Sequence, residues 1–104
     1  MPDQELYSGL IRLHVLHHAS HEAVYGLGMI LELRRHGYRI GPGTLYPLLH
    51  RLEQKGYLRS RNQAIGGKVR RCYSITAPGR RALIHAKAKV RELFDELFEG
   101  DEGG

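Results

Sequence analysis

The stretch from Gly41 to Gly56, GPGTLYPLLHRLEQKG, admits very few structures. Gly41-Pro42-Gly43 breaks the chain, Thr44 is suited to cap a helix, and Leu45, Leu48, Leu49 and Leu52 then fall on one face of it. Pro47 falls in the expected first turn, where a missing N–H costs nothing, and Gly56 after Lys55 supplies the left-handed end. The expected product is a short, tightly framed helix whose free face carries Thr44, Tyr46, Pro47, His50 and Arg51.

Two more helices precede it. Residues 4–18 set Leu6, Leu10, Leu13 and His17 on one stripe with Ile11 and Val15 beside it. Residues 24–36 carry Leu27, Ile30, Leu31 and Leu33 and stop at Gly37, with Gly26 and Gly28 weakening the first turn. After Gly56 the period changes from 3.6 to 2. Residues 57–61 and 69–75 alternate around NQAIGGK, a basic loop whose Gly66-Gly67 suits a hairpin. Two strands after a helix–turn–helix make a wing. Thr76 then caps a final helix with Pro78 in its first turn. The expected fold class is mainly α with a small β-wing: a winged helix-turn-helix domain over 1–76, a C-terminal helix over 77–99 and a frayed tail over 100–104.

The final helix repeats Leu83, Ala86, Val90, Leu93 and Leu97 as a heptad seam, which Phe94 and Phe98 widen. About 22 helical residues span about 33 Å, more than a core of this size readily covers. Self-association is therefore expected, as a homodimer joined by Leu83, Ala86, Val90, Leu93, Phe94 and Leu97 with Leu6 and Leu10 of the first helix as companion surface. The alternative is a helix packed wholly on its own domain.

Charge narrows the partner. The chain carries +5, unevenly placed. From Arg34 to Arg81 there are twelve basic residues and one acid, Glu53, a net of +11, whereas from Glu92 onward there are six acids and no base. Such a field favours a polyanion, and double-stranded DNA is the expected partner. A merely solubilising surface, or a winged helix that binds RNA or protein, is the alternative. Thr44, Tyr46 and Pro47 are assigned to base edges and thymine methyls, Arg51 to a phosphate, and His50 to either. The ring of Tyr46 has a second option, packing between the second and third helices. Lys68, Arg70 and Arg71 of the wing are assigned to backbone or minor-groove contact. Neighbours in a strand point oppositely, so Arg70 and Arg71 do not both face DNA from one surface, and the other pairs with an acid or stays in solvent.

PGTLYPLLHRLEQKGYLRS followed by GGKVRRCYSITAPGRRAL resembles the PadR family of bacterial winged-helix transcription regulators, whose pattern is approximately PGTLYPLLxRLExxGxL, a wing ending G-R-x-R-K-Y-Y, and L-T-x-x-G. The likeness covers about residues 9–83. It implies a short family member: a homodimer paired through its first and last helices, repressing genes until a small-molecule effector binds. Three departures stand out. Tyr25-Gly26-Leu27 stands where the family often has His-Gly-Tyr, Cys72 replaces the first aromatic of the wing strand, and the chain has no Trp. The last departure argues against an effector held between interface tryptophans.

Seven histidines offer an alternative, a metal-responsive sensor, because His14 with His18 and His17 with His21 have the i,i+4 spacing of paired ligands. A redox-responsive sensor using Cys72 is the other. No arrangement of nucleophile, base and acid supports an enzyme, and no cofactor is implied. One cysteine, the absence of a run of about 20 apolar residues, and an acidic N-terminus without a secretory pattern point to a cytoplasmic protein with no membrane partner.

Overall fold

The computed structural model describes residues 3–99, and the expected tail at 100–104 lies outside them. In chain order the elements are α1 (Gln4–His21), β1 (Val24–Tyr25), α2 (Gly26–Arg35), α3 (Pro42–Gln54), β2 (Leu58–Ile65), β3 (Lys68–Ile75) and α4 (Ala77–Leu97). The class is the expected one, mainly helical with one small antiparallel sheet in the order β1-β3-β2.

Helices α2 and α3 end in the same way. After each, a glycine at positive φ (Gly37 at 89°, Gly56 at 83°) takes a position that a Cβ would strain. Gly37 N donates to Arg34 O and Tyr38 N to Leu33 O, just as Gly56 N donates to Glu53 O and Tyr57 N to Leu52 O. The tyrosine that follows each glycine packs back against the core. The last carbonyls are thereby satisfied, and the chain leaves each helix in a fixed direction.

The start of α3 differs from expectation. Gly41 is the cap instead of Thr44, and its carbonyl accepts from Thr44 N and Leu45 N. Pro42 occupies the first turn with φ already set, so the helix begins before Thr44 and has no use for its hydroxyl. Pro47 consequently lies inside the helix, beyond the first turn. There it removes an amide that would have bonded Gly43 O, at a cost of roughly 3 kcal/mol for a helix interior. Being exposed, it adds nothing to the core.

Residues 24–25, expected to open the second helix, are instead a strand. Val24 pairs with Tyr73 and Tyr25 with Cys72, and α2 starts at Gly26. The wing is also more ordered than a basic loop. Asn62, Gln63, Ala64 and Ile65 pair with Arg71, Arg70, Val69 and Lys68, leaving a two-residue turn at Gly66-Gly67 with φ of 59° and 80°.

The core takes Ile11, Val15, Leu16 and Ala19 from α1, Met29, Ile30 and Leu33 from α2, and all four leucines of α3. Leu58, Tyr73 and Ile75 close it from the sheet. The expected stripe of α1 does not face this core: Leu6, Leu10 and His17 are exposed and Leu13 is half-buried. Leu27 and Leu31 of α2 also point outward.

Thr76 ties the end of α3 to the start of α4. Its hydroxyl accepts from Gly79 N at 3.0 Å and donates to Gly56 O, while its amide donates to Tyr57 O at 3.0 Å. Arg80 adds a bond from its guanidinium to Ser20 O at 3.2 Å. Past Leu83, which packs against the core, α4 runs outward. The radius of gyration is 15.3 Å, against about 13 Å for an ordinary domain of this length, and the long axis is 54 Å.

A methyl group at Gly79 would collide with the carbonyl oxygen of Tyr57, which is backbone and has no rotamer to escape into. Gly79→Ala is expected to lower stability by about 1–3 kcal/mol, read as a fall in the thermal midpoint by circular dichroism. Gly9→Ala, in open space on α1, is expected to leave the midpoint unchanged or raise it.

Candidate nucleic-acid interface

With its leucines buried, α3 turns Thr44, Tyr46, Pro47, His50 and Arg51 outward, all exposed. The five residues assigned to this helix therefore share its free surface. Tyr46 does two things at once. Its ring lies so close over Gly26 at the start of α2 that a Cβ there would overlap the phenol, yet the residue remains 46% exposed. One face of the ring is packed between the helices and the rest is open. Gly26, which the sequence marked only as a weak helix former, is what makes room for it. Thr44, Pro47 and Arg51 also line a shallow groove of about 300 Å³ with Gln4, Ser8 and Arg12 of α1. Arg12 extends the basic surface, and its position outside the segment 34–81 hid it from the charge count.

The root of the wing is braced on α3. Glu53 Oε2 accepts from Ser60 Oγ at 2.7 Å and from Ser60 N at 3.1 Å, and Oε1 lies 3.6 Å from Arg71 Nη2. The Ser60 hydroxyl does most to hold the Glu53 carboxyl below the usual carboxylate range; partial burial opposes it, and the Ser60 amide and Arg71 guanidinium reinforce it. Beside this group, burial pushes the Tyr73 phenol up.

The expected division between Arg70 and Arg71 is present. Arg71 is the one that pairs with an acid, Glu53, while Arg70 turns to the opposite face, its Cζ 5.1 Å from the centre of the Tyr25 ring. Residues directly opposite in register share a face, so Arg59, Arg61, Lys68 and Arg70 form a basic row on one side of the ribbon. Asn62, Ala64, Val69 and Arg71 occupy the other side. Arg59 and Arg61 were missed in the sequence because their partners across the ladder depend on the register.

The seam residues lie as follows. Leu83 and Ala86 are half-buried within the chain, whereas Val90, Leu93, Phe94 and Leu97 of α4 and Leu6 and Leu10 of α1 are exposed. Leu93 and Phe94 are each 54% exposed and Leu97 62%, with Phe94 and Phe98 in ring contact at 4.7 Å. Ile84 is exposed as well, outside the heptad pattern. Leu10, Leu13, His17, Leu83, Val90 and Phe94 border a groove of about 830 Å³ between α1 and α4.

The four clustered histidines of α1 divide between two faces. His17 packs edge-on to His21, with ring centres 4.8 Å apart. His14 and His18 turn instead toward α2, where His14 meets the ring of His36 at 4.7 Å. Burial first, then the neighbouring His36, His18 and His17, holds the His14 imidazole below its ordinary value, with Glu32 opposing. Burial also leads in lowering His17, followed by His18, His21 and Lys87. Cys72 is 1% exposed and its thiol points to Arg70 O at 3.8 Å, so it sits as a small core residue closed to an oxidant.

Helix–turn–helix α2–α3 followed by the β2–β3 hairpin defines a winged helix. Over residues 15–85 the sequence matches the Transcriptional regulator PadR-like family. The chain belongs to that family and is a transcriptional regulator. It is 45% identical over 97 residues to Transcriptional regulator Rv3488 of Mycobacterium tuberculosis, spanning 93% of this chain and 91% of that one. Among solved structures it resembles a PadR family transcriptional regulator from Eggerthella lenta, with a TM-score of 0.78, 36% identity, and coverage of 92% of this chain and 88% of the other. It also resembles the PadR-like regulator BC4206 from Bacillus cereus, with a TM-score of 0.79, 28% identity, and coverage of 92% and 98%. None of the described helices is long and apolar enough to cross a membrane.

A carboxyl depressed in the folded state contributes stability that is present above its unfolded value, about 4.5, and is lost as pH falls through its folded value. Between pH 5 and 3 the thermal midpoint of the wild type is expected to fall more steeply than that of Glu53→Gln. Parallel melting curves for the two proteins would remove Glu53 from the account of acid stability.

Proposed function

We propose that the chain is a homodimeric, ligand-responsive repressor acting in the cytoplasm, with residues 1–76 as its DNA-binding domain and 77–99 as its dimerisation helix. The observation that carries this reading is the division of α3: four leucines inside, and Thr44, Tyr46, Pro47, His50 and Arg51 outside, within a segment of net charge +11. An α-helix fits the major groove, and the N-terminal half of α3 is the part that reaches base edges. Pro47 supports the assignment, since it weakens the helix it sits in without helping the core. Arg51 and His50, farther along, meet the phosphates. The wing lies along the neighbouring backbone through Lys68 and Arg70 on one side or Arg71 on the other.

One such module neutralises few phosphates and holds DNA weakly. Two, joined through the exposed seam of α4 and the outer stripe of α1, read half-sites about 34–36 Å apart on an inverted repeat. The groove of about 830 Å³ falls beside that joint, within the roughly 300–1,000 Å³ range of small-molecule sites. A ligand there represses or releases by favouring one spacing of the two reading helices over another.

Two experiments test the reading. In gel shifts with the DNA immediately upstream of the protein's own gene, Tyr46→Ala and Arg51→Ala are each expected to weaken binding by about 10- to 100-fold, and Arg51→Ala to reduce the salt slope by about 1. Unchanged affinity and slope would remove α3 as the reading helix. Leu93→Asp is expected to convert a dimer to a folded monomer by light scattering, and a persistent dimer would rule out the α4 seam.

A further inference from the structure

Two helices that are separate in sequence each bring a pair of metal-ligating side chains, one turn apart, to the same place. His14 and His18 do so on α1, and Glu32 and His36 on α2 and its cap. The ligand nitrogens of His14, His18 and His36 all lie within 4.8 Å of one another. Glu32 Oε1 stands 3.7 Å from His18 Nε2 and 3.6 Å from His36 Nε2. The second oxygen of Glu32 is held by Arg35 Nε at 3.3 Å, which leaves Oε1 facing the imidazoles.

We propose that His14, His18, His36 and Glu32 form a binding site for a divalent transition-metal cation of borderline softness, Zn²⁺ foremost. Three imidazoles and one carboxylate are a donor set that such ions accept in tetrahedral geometry. Ligand atoms around a tetrahedral Zn²⁺ with bonds of about 2.1 Å are about 3.4 Å apart. The observed separations of 3.6 and 3.7 Å to Glu32 are already near that, and the nitrogens close the rest by rotation of partly exposed rings. Access is open. A cleft of about 300 Å³ lined by His18, His21, Glu22 and Glu32 reaches the cluster from solvent. The Arg35 contact to the outer oxygen supplies the kind of supporting bond that orients a ligating carboxylate.

The site differs from the group of four that the α1 sequence suggests. His17 and His21 pack edge-on to each other and fall outside the group whose nitrogens converge, although His17 also touches the His18 ring at 5.2 Å. Their place is taken by residues of α2, which leads through residues 37–41 into the reading helix. A bound cation would therefore clamp α1 to α2, and its presence is independent of whether the chain binds DNA.

The test uses untagged, full-length protein and the metal alone. Calorimetric titration with Zn²⁺, repeated with Co²⁺ and read by its visible absorption, is expected to give one ion per chain with the intense bands of a four-coordinate site. His36→Ala and Glu32→Gln are expected to weaken uptake by at least tenfold, while the double variant His17→Ala/His21→Ala binds as the wild type does. Zn²⁺ should raise the thermal midpoint of the wild type and not that of His36→Ala, whose replaced side chain is exposed and whose fold is checked by circular dichroism. Equal affinity in wild type and His36→Ala, or loss confined to the His17/His21 variant, would overturn the proposal.

Discussion

The corner where Gly56 and Tyr57 meet Thr76 and Gly79 ties the end of α3 to the start of α4. The Thr76 amide, bonded to Tyr57 O, the Thr76 hydroxyl, bonded to Gly56 O, and the close seat of Gly79 make that joint. The direction in which α4 leaves the core is thus referenced to the helix that carries Tyr46 and Arg51. The left-handed end at Gly56 sets one side of the corner and the Thr76 cap sets the other.

Much of this was readable from sequence where the governing interactions are local. Gly37 and Gly56 stop their helices through bonds that span five residues, and the four leucines of α3 are buried as their spacing requires. Thr76 caps its helix as its position before Ala77-Pro78 suggests. Where the deciding partner is distant in sequence, the local pattern does not reveal the structure. Val24 and Tyr25 are a strand only because Tyr73 and Cys72 lie alongside, and nothing in their neighbourhood announces it. Thr44 yielded its capping role to Gly41 because Pro42 is a better first residue than the local composition conveyed. His36 and Glu32 were not grouped with His14 and His18, since only the packing of α2 on α1 brings them together.

The case of α1 shows why one apolar stripe was too simple. This helix has three different exposures around its circumference: Ile11, Val15, Leu16 and Ala19 toward the core, His14 and His18 toward α2, and Leu10, Leu13 and His17 toward the open groove beside α4. A helix serving three neighbours carries apolar residues over most of its surface, and its periodic signal weakens accordingly.

The ribbon of β2 and β3 carries a constraint on how such a protein can diverge. Its two eight-residue strands, about 27 Å long at about 3.4 Å per residue, are closed by the shortest turn available, with Arg59, Arg61, Lys68 and Arg70 on one side. Deleting a single residue from either strand would rotate every position beyond it by half a turn, sending that cationic row to the back of the blade. Descendants can therefore lengthen or trim this blade only by even numbers of residues matched on both strands, a parity rule that substitutions at the tip do not face.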